Sequence, residues 1–175
     1  MESVTTLSDR APASKRPAKV FPRWAVAALT SLLVVADQAS KLAVVRGIPE
    51  HSIVPVIPGF LNLTHTKNTG VAFGLFSDSP AAWKTALLVI ASAALLAIVV
   101  YMVYRAKHLG RATGLGLALI LGGAVSNLAD RIRSGAVVDF VDAYFRSFHW
   151  YTFNVADSAI TVGAVLLVIH LARSE

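Results

Sequence analysis

Two runs of apolar residues dominate the pattern of this chain. Twenty uncharged residues lie between Lys84 and Arg105, and eighteen lie between Arg111 and Asp130. A membrane-crossing helix needs about 20 apolar residues at ~1.5 Å rise each, so both runs qualify outright. Two further runs qualify only if each carries a carboxylate near one end. Trp24 to Ala36 is interrupted by Asp37 and resumes through Val45, and Ser158 to Ala172 is extended backwards by aromatics to Trp150. The pattern therefore predicts four spans, at 24–45, 82–104, 112–133 and 151–172.

The connections are unequal. Residues 46–80 form a long segment with β-like pieces at 52–57, 60–66 and 71–76, punctuated by Pro58-Gly59 and Asn68-Thr69-Gly70. Such alternation between turn signals predicts a small sheet. The segment between spans three and four carries Phe140, Tyr144, Phe145 and Phe148, and Trp150 and Tyr151 follow as interface anchors. It reads as a short aromatic-rich cover over whatever lies beneath. The expected fold is an all-α membrane protein, a four-helix bundle with a small β-sheet between spans one and two. Residues 1–22, rich in Ser, Ala, Pro and Lys, read as a disordered basic tail, and 23–175 as a single membrane domain.

Composition agrees: 55% of residues are hydrophobic and 15% charged, against about a quarter charged in a soluble domain. The net charge of +6 raises the question of nucleic acid. However, Arg10, Lys15, Arg16, Lys19 and Arg23 precede span one, Arg105, Lys107 and Arg111 separate spans two and three, and Arg173 follows span four. These positions share one side of a four-span chain, which the positive-inside rule makes cytoplasmic. Basicity here records topology, N-in and C-in with both long connections outside, and no nucleic-acid partner is expected. The leader is too long for a cleaved signal peptide, so span one reads as a retained anchor. Cysteine is absent, which excludes disulfides, thiolate catalysis and Cys-ligated zinc.

Ionisable residues at membrane depth are costly and need explaining. Asp37 and Lys41 stand at i,i+4 in span one and read as an ion pair near the interface, with Lys41 snorkelling to water. Asn68 and Gly70 belong to a turn that allows positive φ, and a functional Asn68 there would bind an extended peptide or a catalytic pair. Asn127, Asp130 and Arg131 share one face of span three, beyond Gly122-Gly123, and read as inter-helix glue. Asp139 lies just past span three, and Asp157 opens span four with Asn154 and Thr161 on its face. Chain direction brings both aspartates to the same membrane edge. Two carboxylates facing each other in a low dielectric share one proton, the state an aspartic protease uses to activate water. Taken singly, each is better explained as an interfacial or N-capping carboxylate. Asp142 competes with Asp139 for the role, and spacing does not choose between them.

The ordered pieces DQASK (37–41), KNTGVAFGLF (67–76), GGAVSNLADRI (122–132), GAVVDF (135–140) and FNVADSAITVG (153–163) resemble the lipoprotein signal peptidases, or signal peptidase II. The resemblance runs from span one to span four. It implies an aspartyl endopeptidase of the bacterial inner membrane, with its site at the outer face. Such an enzyme removes the signal peptide from a diacylglyceryl-modified prolipoprotein just before the lipid-bearing cysteine. It also implies Asp139 and Asp157 as the catalytic pair in place of Asp142, with Asp37, Lys41, Asn68, Gly70, Asn127, Asp130, Arg131 and Asn154 in support. No metal or other cofactor is expected, the partners are the lipidated substrate and membrane lipid, and the chain is expected to act as a monomer. Three rivals remain from the residues: a proton channel using the carboxylates as a relay, an Mg²⁺ enzyme using Asp130, Asp139, Asp142 and Asp157, and a noncatalytic assembly factor.

Overall fold

The computed structural model describes residues 20–70, 81–106 and 108–173. Its elements are α1 (Arg23–Gly47), β1 (Ile53–Ile57), β2 (Leu61–Asn68), α2 (Ala81–Arg105), α3 (Arg111–Ser134), β3 (Val137–Phe145), β4 (Phe148–His149) and α4 (Val155–Ala172). All four helices are long and apolar enough to cross a membrane. The expected strand at 71–76 lies outside the described residues.

Helix α3 is the centre of the bundle and packs against α1, α2 and α4. Its sequence is built for this. A Cβ at Gly116 would sit 2.9 Å from the Gly163 carbonyl oxygen, and a Cβ at Gly123 would run into the Ala156 carbonyl. The missing side chains let the α3 and α4 backbones touch, the contact that drives helix association where lipid is as apolar as leucine. The outward residues of α2 and α4, among them Ile90, Ile98, Tyr101, Val165 and Val168, are exposed. A bundle apolar on its outside suits a hydrocarbon solvent.

The sheet departs from expectation. It is four-stranded and antiparallel, in the order β1-β2-β3-β4, and takes two strands from the segment between α3 and α4. Within the expected aromatic-rich segment, 137–145 and 148–149 are therefore strands of the sheet. Phe140 is buried in it, whereas Phe145, Phe148, Trp150 and Tyr151 are exposed. The sheet stands at the bundle end where α1 and α3 finish and α4 begins. β2 and β3 pair as Thr66↔Asp139 and Leu63↔Val141, with an extra β2 residue between. At the opposite end, Val20 and Phe21, expected in the tail, pair with the α2–α3 loop through Val20↔Gly110 and Phe21 N–H to the Leu109 carbonyl at 2.7 Å.

Candidate active site

The site assembles where β2, β3 and the start of α4 converge on α3. β3 delivers Asp139, which is 2% exposed. Its Oδ1 accepts from Asn154 Nδ2 at 2.7 Å and its Oδ2 from Asn68 Nδ2 at 2.9 Å. Asn68 is itself held by its turn: its Oδ1 accepts from the Gly70 N–H at 2.7 Å, with Gly70 at φ +82°. That φ suits glycine and strains other residues. Thr66, opposite Asp139, donates to its backbone carbonyl at 3.0 Å.

Asp157 sits in the first turn of α4. Asn154 is the N-cap of α4, outside the helix, and not on the helical face that its spacing from Asp157 predicts. Its Oδ1 accepts from Asp157 N–H at 2.9 Å, while Asp157 Oδ2 accepts from Asn154 N–H at 3.2 Å. This reciprocal capping box locks the carboxylate's rotamer. Asp157 Oδ1 accepts from Asn127 Nδ2 at 2.7 Å. One fully buried residue, Asn154, thus donates to both carboxyls, through its amide to Asp139 and its backbone to Asp157.

Behind the pair lies a buried ionic cluster. Lys41 Nζ is 2.6 Å from Asp37 Oδ2 and 2.6 Å from Asp130 Oδ2, and donates to Asn127 Oδ1 at 2.8 Å. Lys41 is 4% exposed, so it does not snorkel; two buried carboxylates hold it inside, where an unpaired ammonium would be strongly destabilising. Asp37 Oδ1 accepts from the Ala156 N–H of α4 at 2.8 Å, and its Oδ2 from Ser126 Oγ at 2.7 Å. Gln38 Nε2 donates to Asp130 Oδ1 at 2.8 Å and to Ser126 Oγ at 2.9 Å. The cluster ties α1, α3 and the start of α4 together, and Asn127 carries it forward to Asp157. Arg131 is half-buried on the same face of α3, and its Nη1 donates to the Asn127 carbonyl at 3.3 Å. Ser126, Gln38 and Thr66 were not singled out in the sequence. Each is an uncharged polar residue next to a charged or amide residue that draws the attention first, Asp37 for Gln38, Lys67 for Thr66 and Asn127 for Ser126.

Burial pushes the Asp139 carboxyl up to about 6. The Asn68 and Asn154 amides oppose this, while the charge of Asp157 adds to it. Asp142 differs. Burial pulls its carboxyl up, but Asn62, at 2.9 Å, and His149, at 2.8 Å, together hold it below the usual range. Asp142 is committed to those two partners and away from Asp157. Of the four aspartates of the Mg²⁺ rival, Asp130 binds Lys41 and Gln38 and Asp142 binds Asn62 and His149, apart from Asp139 and Asp157, and among the described residues no group of three or more His, Cys, Asp or Glu converges as a metal site. Beside Asp157, a cleft of about 340 Å³ is lined by Trp150, Phe153, Ser158, Thr161 and Val162, and its walls are predominantly apolar.

Residues 29–173 match the family model described as signal peptidase (SPase) II. The chain is 44% identical over 153 residues to a lipoprotein signal peptidase of Solibacter usitatus, covering 87% of this chain and 93% of the relative. It is 42% identical over 176 residues to one from Cupriavidus necator, covering 99% and 97%. A solved structure described as a bacterial membrane enzyme superposes with a TM-score of 0.77 at 28% identity, covering 90% of this chain and 93% of that one.

Proposed function

The chain belongs to the signal peptidase II family, a family of membrane proteases that process bacterial prolipoproteins, and we propose that it cuts its substrate with Asp139 and Asp157 acting on one water. The observation that carries this reading is Asn154, which binds both carboxyls at once and holds them at one bundle end. Asp139, raised to about 6, holds the shared proton. Asp157, held by Asn127 and by the Asn154 N–H, is the ionised partner. Asp157 takes a proton from water as the oxygen attacks the scissile carbonyl. The Asp139 hydroxyl donates to the carbonyl oxygen as charge develops there. The intermediate then collapses: the C–N bond breaks, Asp157 gives the proton it took from water to the leaving nitrogen, Asp139 recovers its proton from the re-forming carbonyl, and no covalent enzyme intermediate forms. Asn127 and Asn154 fix the carboxyl rotamers; Lys41, Asp37 and Asp130 tie α1 and α3 to the start of α4, which carries Asp157.

The substrate is a prolipoprotein bearing a diacylglyceryl group, cut just before the modified cysteine. The apolar cleft beside Asp157 supports this, because it opens on the exposed face of α4 and suits a lipid-modified chain arriving sideways from the bilayer. The sheet edge offers strand-type contacts to keep the peptide extended, since a helical signal peptide hides its carbonyls in internal hydrogen bonds. Four apolar helices and the family fit a multi-pass inner-membrane protein. The basic residues before α1, between α2 and α3 and after α4 support a cytoplasmic position for the opposite bundle end and an outer-face position for this site. The test is cleavage by the purified protein of matched prolipoproteins with and without the diacylglyceryl group, the cut mapped by mass spectrometry. The reading requires a single cut before the modified cysteine and a strong preference for the lipidated form; equal cleavage of both forms contradicts it.

A further inference from the structure

The chain between the two aspartates is a closed arm. From the β3–β4 turn it runs back along β3, paired as Phe145↔Phe148 and Tyr144↔His149. Trp150 N–H then donates to the Ala143 carbonyl at 2.8 Å, and Val141 and Phe153 exchange bonds at 2.8 and 3.1 Å. The next residue is Asn154. Whatever fixes this return segment on β3 therefore fixes the start of α4 relative to Asp139.

One side-chain contact closes the arm at its middle. Asp142, on β3, is buried, and His149 Nδ1 approaches its Oδ1 at 2.8 Å and its Oδ2 at 3.1 Å. Against a buried carboxylate that nitrogen carries the proton. Asn62 Nδ2 holds Asp142 Oδ2 from β2 at 2.9 Å. The His149 ring stacks on Tyr144, with centroids 5.0 Å apart and planes 9° from parallel. The Tyr144 hydroxyl accepts from Gly59 N–H at 2.8 Å. Three strands and the β1–β2 turn thus meet at one carboxylate–imidazole pair, which the mechanism above does not use.

We infer that Asp142 and His149 form a positioning clasp that sets the geometry of Asp139 against the α4 aspartate. His149 is a positioning residue: it reaches the reacting groups only through the strand it fastens. This inference rests on the proposed site for its effect on turnover, but its effect on Asp139 is measurable without catalysis. Loosening the arm separates the carboxyls and admits water to Asp139, removing both influences that raise it. A displacement of about an ångström at a reacting pair costs on the order of tenfold to a hundredfold in rate.

The experiment compares wild type with His149→Ala and His149→Gln in detergent. The side chain of His149 is 51% exposed, so alanine leaves no core cavity, and glutamine can still donate to Asp142. Carboxyl carbon NMR follows the Asp139 titration, and kinetics on a lipidated prolipoprotein give kcat and KM. In His149→Ala the Asp139 midpoint should fall from about 6 toward the ordinary value of 3.8. kcat should drop about tenfold with KM within about twofold, and His149→Gln should restore most of both. Asp142→Asn, which keeps the side-chain shape, should lower the midpoint likewise. An unchanged midpoint in His149→Ala overturns the clasp whatever turnover does, and so does a loss that glutamine fails to restore. Should Asp139→Asn keep wild-type turnover while His149→Ala still moves the midpoint, the site reading fails and the clasp stands.

Discussion

The side-chain amide of Asn154 donates to Asp139 Oδ1 at 2.7 Å, while the same residue caps α4 and gives its backbone N–H to Asp157. A single asparagine thereby couples a strand carboxyl to a helix carboxyl. Asn154→Ala removes the helix cap and leaves a buried Asp139 oxygen without its donor. The cap alone is worth about 1 kcal/mol, and the unsatisfied oxygen adds about 1–3 kcal/mol. The variant should melt lower in detergent, and its turnover, measured well below the melting temperature, should fall at least about a hundredfold. Asn154→Ser, which can still cap the helix but does not reach Asp139, should recover melting temperature and little turnover.

The raised Asp139 carboxyl makes a signed pH prediction. Its folded value, about 6, lies above the unfolded 3.8. Its contribution to stability is therefore full below pH 3.8 and is lost as pH rises through about 6. Two units at about 1.4 kcal/mol each make this of order 3 kcal/mol. Melting temperatures of wild type and Asp139→Asn, measured from pH 4 to pH 7, should diverge in favour of the variant as pH rises. In the wild type, kcat/KM should fall as pH climbs through about 6, because the free enzyme then loses the proton that Asp139 donates.

Lys41 neutralises Asp37 and Asp130 inside the bundle. Lys41→Met strands two buried carboxylates and should cost about 3–5 kcal/mol, read as a fall in melting temperature or failure to accumulate in the membrane. The triple variant Asp37→Asn, Lys41→Met, Asp130→Asn should recover part of that loss. Charge burial, not the shape of lysine, is the main effect of the single change.

Chelation separates this account from the Mg²⁺ enzyme. Asp130 is bound by Lys41 and Gln38, and Asp142 by Asn62 and His149, so neither is directed toward the pair. Turnover assayed in excess EDTA should remain within about 20% of the untreated value, because activation of water by a carboxylate pair needs no metal. A loss reversed by added Mg²⁺ would favour the metal reading.

The helices were legible because lipid imposes a strict length of uncharged chain, and Lys84, Arg105 and Arg111 mark that length. The strands after α3 were not. In VVDFVDAYF both faces carry apolar residues, so the alternation that betrays a half-exposed strand is blurred. That loss also hid which of Asp139 and Asp142 meets Asn154 and through it Asp157. Three residues apart on a strand, the two point to opposite faces, and recognition of β3 would have shown that both cannot face the same partner. The Asn154-x-x-Asp157 spacing carries a capping signal, but a span expected over 151–172 puts Asn154 inside the helix. Lys41 was misjudged because its second carboxylate, Asp130, comes from α3, and a pairing across 89 residues leaves no local trace.

Both aspartates are proposed to act on one water. The most direct measurement is turnover of a purified, lipidated prolipoprotein by wild type, Asp139→Asn and Asp157→Asn, each variant first shown to be folded by its melting transition. The account predicts that each single change lowers kcat by at least about a thousandfold with little change in KM, and that the double variant is scarcely worse than either single one, as expected for residues acting as a unit. Near-wild-type turnover in either single variant would contradict it.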